Sequence, residues 1–460
     1  MTAFTERCDS NSSSNRNVNT ETCNSCDIVI VGLGQTGLSC VRYFLGQGIV
    51  PTVVDSRETP PGEDQLPAQV RLYKGGLHPE ILRQATQLVV SPGIAIATPE
   101  IAAARQAGVE IIGDIELFVR AAQAPIIAIT GSNGKSTVTT LVGEMANAAG
   151  IKTAIGGNIG IPALDLLNAI EPYQLYVLEL SSFQLETTHS LQAVAATVLN
   201  VSDDHLDRYT DFTAYQQAKL SIYNQAKTVI VNRDDHLTDF NADHSVPSVR
   251  HSFGLNADDY GLIQQQGITW LAHQGKGIIS ADELQIKGQH NLMNALVAIA
   301  LLDAAGIDRI KTLPGLRHFT GLTHRCEFIR EHAGVTWIND TKATNVGATL
   351  AALDGLKTCV KGRLFLIAGG EGKGADFRPL TSPLQNDIAT TYCFGKDAQA
   401  LARLAPNTKV VADLNQAVRE ISNLVRSDDW VLLSPACAST DMYPNFMARG
   451  DHFRALVEAL

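Results

Sequence analysis

A glycine-rich segment that joins an apolar run to a helical pattern places the strongest constraint on the fold. Residues 126–129 read Ile-Ile-Ala-Ile, residues 130–137 read TGSNGKST, and a helical pattern covers about residues 137–149. A glycine loop between a buried strand and a helix is typical of α/β domains with a parallel sheet. In such domains the loop lies at the carboxyl edge of the sheet, where ligands bind.

The chemistry of this loop indicates ATP. It ends in the Gly-Lys-Ser of a P-loop, although Ile129 occupies the position of that motif's first glycine. Backbone N–H groups of such a loop point at phosphates, Lys135 would neutralise the β- and γ-phosphates, and Ser136 would ligate Mg²⁺. We therefore predict that this loop binds ATP together with Mg²⁺.

A second glycine pattern, Gly32-x-Gly34-x-x-Gly37, follows apolar residues 28–31 and precedes a helical pattern, and Asp55 closes the next predicted strand. The glycines permit a tight turn, and the helix N-terminus offers free N–H groups to a diphosphate. A nicotinamide or flavin dinucleotide would satisfy this pattern, and a nucleotide sugar would satisfy it equally well. Close packing of the helix on the strand, without a ligand, is the remaining interpretation.

Apolar β-branched runs alternate with helical patterns along most of the chain, which predicts mostly parallel sheets. At roughly 100–200 residues per domain, 460 residues suggest two to four domains. We place them at residues 27–113, 114–321 and 322–460. Residues 1–26 are rich in Ser, Asn and Thr and lack an apolar segment, so we predict a disordered tail, not a secretory signal.

Composition excludes several classes of protein. The net charge of −11 argues against broad binding to nucleic acid or to anionic membranes. The longest apolar stretch, residues 295–302, is too short to cross a bilayer. Of eight cysteines, only Cys23 and Cys26 form a C-x-x-C pair, and no second pair completes a zinc site. We interpret the cysteines as reduced thiols of a cytoplasmic protein.

Polar residues follow two predicted strands of the central block. Glu179 ends one apolar run, and His205 lies shortly after another that ends at Val201. A carboxylate at such a strand end can complete the oxygen shell of Mg²⁺, although either residue alone could be an ordinary structural polar group. Lys219 lies in a helical pattern at residues 212–226, and from the sequence alone we expect a solvated surface lysine there.

Three polar or glycine-rich segments follow predicted strands of the third block. They are residues 339–345 (NDTKATN), 369–374 (GGEGKG) and 434–439 (SPACAS). Loops at the carboxyl ends of parallel strands line the ligand crevice of a doubly wound domain. Tight turns alone would explain the glycines, but they would not explain two lysines, Lys342 and Lys373, at the same edge.

Taken together, these motifs resemble the Mur ligase family from residue 27 to the C-terminus. Residues 179–186 (ELSSFQLE), 320–325 (TGLTHR) and 339–345 are similar to the branch that adds D-glutamate to UDP-N-acetylmuramoyl-L-alanine. The resemblance implies a Rossmann-like UDP-binding domain, a central P-loop-type ATPase domain and a C-terminal Rossmann-like domain. It implies ATP-dependent ligation through an acyl phosphate, by a monomer whose partners are small substrates.

The resemblance also implies a role for individual residues. ATP would be held by Gly131, Ser132, Asn133, Gly134, Lys135, Ser136, Thr137, Asn291, Asn294, Arg325 and Asp340. The UDP-sugar would be held by Thr36, Asp55, Ser56, Arg57, Ser91 and Gly93, with Asn158 and His205 at its peptide end. D-glutamate would lie among Lys342, Thr344, Lys373, Ser439 and Phe446. Metal ligands would be Ser136, Glu179, His205 and a carbamylated Lys219, and the catalytic set would be Lys135, His205, Lys219, Lys342 and Lys373.

Two residues depart from the family pattern. Glu371 stands where the family usually has Asp, and Thr440 stands where Leu is common. Both lie in segments that would contact D-glutamate. Two other functions remain open from the residues themselves: a dinucleotide-dependent oxidoreductase, which leaves the loop at residues 130–137 unused, and a nucleotide-gated regulatory protein, which leaves the lysine-bearing loops unused.

Overall fold

The structure is a computed structural model that describes residues 28–202, 208–239, 249–286, 288–357 and 360–460. The predicted tail and the predicted site residue His205 lie outside the described residues. The described residues form three α/β units, each built on its own mainly parallel sheet. The expected three-domain α/β fold is therefore confirmed.

The N-terminal domain contains a five-stranded parallel sheet in the order β3-β2-β1-β4-β5. Its strands are β1 Ile28–Val31, β2 Thr52–Asp55, β3 Arg71–Lys74, β4 Gln87–Val90 and β5 Glu110–Ile112, and its helices are α1 Gln35–Gly46, α2 Pro79–Gln84 and α3 Pro99–Gln106. The strand order reverses between β1 and β4, so the loops after these two strands face one crevice.

The helix α4 (Asp114–Ala121) connects this domain to the next. The carboxylate of Glu116 accepts hydrogen bonds from the backbone N–H groups of His189 (2.6 Å) and Ser190 (3.0 Å), and from the Ser190 hydroxyl (2.7 Å). Glu116 itself is buried. The linking helix is therefore packed against the central domain just after Gly113, where we placed the first domain boundary.

The central domain has a nine-stranded sheet in the order β14-β13-β12-β11-β10-β9-β6-β8-β7. Its strands are β6 Ile126–Thr130, β7 Thr153–Gly157, β8 Leu175–Glu179, β9 Ala195–Val198, β10 Thr228–Asn232, β11 Val249–Phe253, β12 Tyr260–Gln265, β13 Ile268–His273 and β14 Lys276–Ser280, and its helices are α5 Lys135–Ala148, α6 Ser182–Leu185, α7 Phe212–Leu220, α8 Gln289–Ala304 and α9 Arg309–His318. All pairs are parallel except the last two, β12 with β13 and β13 with β14.

The C-terminal domain has a six-stranded sheet in the order β15-β16-β20-β17-β18-β19, in which only the pair β15–β16 is antiparallel. Its strands are β15 Glu327–His332, β16 Val335–Asn339, β17 Leu364–Gly369, β18 Thr390–Phe394, β19 Thr408–Val410 and β20 Trp430–Leu433, and its helices are α10 Val346–Leu356, α11 Thr381–Asn386, α12 Ala398–Ala402, α13 Leu414–Ser422 and α14 Phe446–Glu458. The three predicted loops follow β16, β17 and β20, which are neighbours in the sheet.

Two predicted elements are shorter in the structure. The helix expected at residues 212–226 ends at Leu220, and a 3-10 turn places Tyr223 in the core, where its hydroxyl accepts a hydrogen bond from Val198 N at 2.9 Å. The strand expected to reach Val201 ends at Val198, because the following residues bond to the phosphate-loop segment instead: Ser132 N donates to Asn200 O at 2.9 Å.

No helix among the described residues is long and apolar enough to cross a membrane. The thiols of Cys40, Cys326, Cys393 and Cys437 are free, and the C-x-x-C pair lies outside the described residues.

The glycine pattern at residues 32–37 is explained by packing as well as by space for a ligand. A Cβ on Gly37 would lie 2.0 Å from Gly32 O, so α1 can approach β1 only with glycine at this position. A Cβ on Gly34, by contrast, would meet nothing within 4 Å. The pattern therefore combines the two interpretations: one glycine serves helix–strand packing, and another keeps open space at the helix N-terminus.

We predict that Gly37→Ala lowers the melting temperature of the protein by several degrees, because overpacking in a close contact costs about 1–3 kcal/mol. Gly46→Ala is the matched control, since Gly46 ends the same helix and a Cβ there would meet nothing within 4 Å. Differential scanning calorimetry of both variants measures the effect. Equal melting temperatures for the two variants would contradict the packing role of Gly37.

Candidate active site

The loop between β6 and α5 is held by backbone and side-chain hydrogen bonds to the segment that follows β9. Asn133 N donates to Asn200 Oδ1 at 2.8 Å, and Ser202 N donates to Ser132 Oγ at 2.9 Å. Gly134, with φ of +82°, turns the chain into α5. The loop is thus preformed at the carboxyl edge of the central sheet, between the strands that lead to Glu179 and to Ser202.

Two lysines donate to the same carbonyl oxygen of this loop. Lys135 Nζ lies 2.7 Å from Gly131 O and 2.9 Å from Ser132 O, and Lys219 Nζ lies 2.9 Å from Gly131 O. Lys219 is only 2% exposed and its Nζ lies 4.5 Å from the centre of the Tyr215 ring. The expectation of a surface lysine at position 219 was wrong, because the inner face of α7 lies against the phosphate loop.

Glu179, at the end of β8, is buried, and one of its two carboxylate oxygens accepts a hydrogen bond. Its Oε1 accepts a hydrogen bond from Asn158 Nδ2 at 2.8 Å. Its Oε2 is shielded from solvent and accepts no hydrogen bond from the described residues. A buried carboxylate oxygen without a partner carries a desolvation cost that a divalent cation would offset. The donor set of Glu179 and the Ser136 hydroxyl therefore fits a magnesium ion.

Arg325 brings the C-terminal domain to the phosphate loop. Its Nη2 donates to Ser136 Oγ at 2.7 Å, and burial lowers the pKa of this guanidinium although the nearby Glu179 and Asp340 carboxylates oppose the shift. Asp340, which follows β16, accepts hydrogen bonds from Cys326 N (3.1 Å) and Ser434 Oγ (2.8 Å). Burial raises the pKa of the Asp340 carboxyl to about 7.

Lys342 lies among the same charges. Its Nζ lies 4.0 Å from the centre of the Phe446 ring, a cation–π contact that brings two predicted D-glutamate residues together. Burial lowers the pKa of Lys342 to about 8, and the positive charges of Arg325 and Lys135 act in the same direction. Residues of the central and C-terminal domains therefore form one cluster of cations around the carboxylate of Glu179.

Two of the residues that the resemblance assigns to ATP, Asn291 and Asn294, lie on α8. Asn294 Nδ2 donates to Asn291 Oδ1 at 3.3 Å, and a Cβ on Gly134 would lie 3.1 Å from Asn294 Oδ1. The start of α8 therefore borders the phosphate loop.

The part of the site predicted to bind D-glutamate includes two loops, residues 369–374 and 434–439, that backbone hydrogen bonds join. Glu371 N donates to Ala438 O, and Ala438 N donates to Glu371 O, both at 2.9 Å. Ser439 is buried beside this bridge, Lys373 is exposed with φ of +51°, and Thr344 N donates to Lys342 O at 2.8 Å. The described residues show no direct contact that joins Lys373 to the cluster around Lys342.

The two departures from the family pattern contact each other. Thr440 Oγ1 donates to Glu371 Oε2 at 3.0 Å, and Lys396 Nζ donates to Glu371 Oε1 at 2.8 Å. The carboxylate of Glu371, whose side chain is longer than that of Asp, and the hydroxyl of Thr440 therefore form one hydrogen-bonded unit. This unit reinforces the backbone bridge between the loops at residues 369–374 and 434–439.

Arg449 is a residue that the sequence did not single out. It is fully buried, and it donates to Thr341 O (2.9 Å), Thr341 Oγ1 (2.9 Å), Cys437 O (3.1 Å) and Gly369 O (3.3 Å). Burial lowers its pKa to about 10. One guanidinium thus joins all three loops of the C-terminal sheet edge, and no pattern near position 449 indicates it. The sequence reasoning also did not single out His324, which is buried and lies within the family-like segment at residues 320–325.

The predicted UDP site lies on the N-terminal sheet. Asp55 accepts hydrogen bonds from Leu33 N (2.7 Å) and from the guanidinium of Arg57 (2.7 and 2.9 Å). Burial opposes ionisation of Asp55, but these hydrogen bonds outweigh it and lower the pKa of the carboxyl. Ser91 Oγ donates to Gly32 O at 3.2 Å. The loops after β1, β2 and β4 are thereby tied together.

The other predicted residues of this site lie on the same edge. Thr36 is in the first turn of α1, and Ser56 and Gly93 are exposed. Arg208 of the central domain donates to Pro92 O (3.0 Å) and Ile94 O (3.1 Å), so the loop that contains Gly93 is held against the central domain.

A cluster of His251, Asp259 and His273 has the spacing of a metal site; His251 Nδ1 lies 3.2 Å from Asp259 Oδ2, whereas His273 Nε2 makes no hydrogen bond with the described residues. Arg309 Nη2 lies 3.2 Å from His273 Nδ1, and because arginine only donates, this nitrogen accepts. The ring proton is then on Nε2, which faces Asp259 Oδ1 at 3.4 Å. A metal would require that nitrogen without its proton, so the cluster is better explained as a structural network.

Comparison with known proteins gives the family of the chain. Three domain models match: "Mur ligase MurD-like, N-terminal domain" at residues 26–113, "Mur ligase middle domain" at residues 129–302, and "Mur ligase, glutamate ligase domain" at residues 324–437. The UDP-N-acetylmuramoylalanine--D-glutamate ligases of Escherichia coli K12 and Salmonella typhimurium LT2 are each 55% identical over 438 residues. That alignment covers 94% of this chain and 98% of each relative.

Solved structures agree with this at the level of the fold. A UDP-N-acetylmuramate-alanine ligase from Thermotoga maritima has a TM-score of 0.59 at 18% identity and covers 94% of this chain and 99% of that one. A MurF ligase from the same organism, described in complex with ADP, has a TM-score of 0.59 at 16% identity and covers 94% and 95%. With three matching domain models and relatives at 55% identity along nearly its whole length, the chain belongs to the Mur ligase family.

Proposed function

We propose that this protein joins D-glutamate to UDP-N-acetylmuramoyl-L-alanine in peptidoglycan synthesis, with conversion of ATP to ADP and phosphate. The observation that carries the proposal is the cation cluster in which Lys135 of the phosphate loop meets Arg325 and Lys342 of the C-terminal domain around Glu179. The names of the relatives at 55% identity support the choice of substrates. We further propose that the enzyme acts as a monomer in the cytoplasm.

The chemistry must overcome the low reactivity of a carboxylate toward an amine. Transfer of the γ-phosphoryl group of ATP to the L-alanine carboxylate gives an acyl phosphate and ADP. The amine of D-glutamate then attacks the acyl carbon, a tetrahedral intermediate forms, and its collapse expels phosphate and leaves the amide. Catalysis of such a sequence consists mainly of positioning and of stabilising negative charge.

The residues of the cluster divide these tasks. Lys135, Arg325 and Lys342 provide positive charge where the phosphoryl group is transferred. Ser136, Glu179 and His205 would hold Mg²⁺, which supplies further charge neutralisation at the phosphates, and Glu179 Oε2 supports this because it has no other partner among the described residues. Lys342, Thr344, Lys373, Ser439 and Phe446 would surround D-glutamate.

The N-terminal domain would hold the nucleotide sugar. Open space at Gly34 and the N-terminus of α1 suit a diphosphate, and the Asp55–Arg57 pair lies at the end of the adjacent strand. An oxidoreductase would also use this crevice, but it would leave the cation cluster without a role. A nucleotide-gated regulatory protein would leave Lys342 and the loops joined by Arg449 without a role.

Carbamylation of Lys219 is also part of the proposal. Two ammonium groups that donate to the same carbonyl, on Lys135 and Lys219, repel each other in a buried place. Addition of carbon dioxide to the neutral amine of Lys219 replaces one cation by an anion. The carbamate nitrogen keeps one N–H for Gly131 O, while its two oxygens can serve as hard ligands for a metal.

The substrate assignment predicts phosphate release only when ATP, magnesium, UDP-N-acetylmuramoyl-L-alanine and D-glutamate are all present. A screen of amino acids by phosphate release measures this, with Lys135→Ala as the inactive control that retains its melting temperature. Equal turnover with L-glutamate, or none with the complete mixture, would refute the assignment. Consumption of a nicotinamide cofactor would favour the oxidoreductase instead.

We predict that the substitution Asp340→Asn has opposite effects on stability and on activity. In the unfolded chain this carboxyl titrates near its ordinary 3.8, whereas in the folded protein burial raises its pKa to about 7. The folded state therefore binds more protons between these values, and the free energy of unfolding falls as the pH rises through this window. Asp340→Asn should remove this loss and raise the melting temperature at pH 8, yet lower kcat tenfold or more.

The control for this variant is Asp376→Asn, an exposed carboxylate bonded to Arg378. Thermal melts of both variants at pH 5 and pH 8, with kcat at pH 8, make the comparison. A melting temperature of Asp340→Asn below that of the wild type at pH 8 would contradict the assignment of a costly buried charge.

Incubation with isotope-labelled bicarbonate tests the carbamate on Lys219. We expect a carbamate carbon resonance in the NMR spectrum of the native protein that is absent from Lys219→Arg. We also expect Lys219→Arg to lose at least tenfold in kcat, because arginine restores the second cation. An unmodified lysine in the native wild-type protein would exclude this part of the proposal.

A further inference from the structure

A histidine of the central domain occupies the space that a glycine leaves open in the C-terminal domain. His290 lies in the first turn of α8, and Gly355 lies near the end of α10. A Cβ on Gly355 would lie 1.8 Å from His290 Nδ1 and 2.6 Å from its Cε1. The imidazole ring therefore rests directly on the backbone of α10, and even a methyl group at position 355 would displace it.

A second glycine, on the central-domain side of this contact, also lies close to α10. Gly288, immediately before α8, has φ of +91°, and a Cβ there would lie 2.7 Å from Gly355 O. A side chain at position 288 would thus meet both backbone strain and the carbonyl of the opposite domain. Two glycines and one histidine, from two domains, form a contact that depends on shape.

The N-terminal ends of both helices in this contact also border the predicted ATP site. Asn291 and Asn294 follow His290 on α8. At the other end of α10, a Cβ on Gly347 would lie 3.2 Å from Ser202 Oγ and 3.7 Å from Asn133 Nδ2 of the phosphate loop. The helix α10 is therefore held against the central domain at both ends, near the phosphate loop and at His290.

The ring of His290 contributes by packing and not by charge. Its Nδ1 is shielded from solvent and has no hydrogen-bond partner among the described residues. Burial lowers the pKa of His290 to about 4, so the imidazole is neutral at physiological pH. A neutral ring without a polar partner at this nitrogen can support the contact only through its shape.

We propose that His290 and Gly355 form an interdomain seat that positions the C-terminal domain over the phosphate loop. The loop that precedes α10 carries Asp340 and Lys342, so the seat sets their distance from Lys135. His290 is a positioning residue in this proposal, because it acts through α10 and not on a substrate. The inference rests on the proposed function for those three residues, but the seat itself is a statement about domain position.

The decisive variant is Gly355→Ala. Alanine is the better helix former, so helix propensity alone predicts a stabilised α10 and an unchanged rate. The seat predicts instead that kcat falls tenfold or more, while the dissociation constant for UDP-N-acetylmuramoyl-L-alanine stays within twofold, since that ligand would bind the N-terminal and central domains and not the C-terminal domain. Gly46→Ala, at the end of α1 in open space, is the matched control and should keep the wild-type kcat.

A second substitution separates a blocked seat from a damaged fold. In His290→Ala/Gly355→Ala, the space left by the ring accepts the new methyl group, so kcat should recover to within about threefold of His290→Ala alone. Wild-type kcat for Gly355→Ala would overturn the proposal. A double variant more than about threefold slower than His290→Ala would overturn it as well.

Small-angle scattering gives a readout that does not depend on the reaction. The radius of gyration of Gly355→Ala with ATP should exceed that of the wild type, and the double variant should return to the wild-type value. Identical radii for all three proteins would refute the seat. If the wild type fails to use D-glutamate while the radii change as expected, the proposed function fails and the seat stands.

Discussion

The hydrogen bond from Arg325 to Ser136 is the interaction on which the active-site arrangement depends. It joins a strand-edge loop of the C-terminal domain to the first turn of α5, and without it the two sheet edges would have no shared set of charges. Lys135, Lys342 and Glu179 come from three different elements, and this contact, together with the packing of α10 on the central domain, brings their loops together. The site is therefore a property of domain packing and not of one motif.

Burial sets the charge states at this junction. It raises the pKa of Asp340 to about 7 and lowers that of Lys342 to about 8, so both groups titrate near neutrality. Groups with perturbed pKa values cluster at sites where charge must be created or moved. One oxygen of Glu179 has no partner among the described residues, and it belongs to the same balance of charge, since a nearby cation would stabilise it.

The parts of the structure that follow from local pattern were predictable from the sequence. The strand–glycine–helix segments at residues 28–37 and 126–137 specify both turns, because only glycine allows the close approach at Gly37 and the positive φ at Gly134. The predicted strands of the third block were found, and its three polar loops do share one edge. Periodicity and turn chemistry act over few residues, so one sequence is enough to recognise them.

The parts that depend on distant contacts were not predictable. The burial of Lys219, the bonds of Arg449 to three loops, and the ring of His290 on Gly355 join residues that are far apart in the chain. The strands β3, β5, β7, β11 and β15 were also missed. Arg71–Lys74 carries charges at both ends and shows no apolar alternation, so its pairing with β2 becomes apparent only in the sheet.

The buried guanidinium of Arg449 has a consequence for how the protein meets its ligands. Its hydrogen bonds among the described residues go to carbonyl and hydroxyl oxygens, so no carboxylate cancels its charge through such a bond. The molecule as a whole carries a net charge of −11 and repels anions at long range. Low-dielectric walls focus the field of buried cations into a cleft. In the proposed reaction, the buried charge of Arg449 would favour an anionic amino acid at the C-terminal edge, whereas the net negative charge of the molecule would disfavour it over most of the surface.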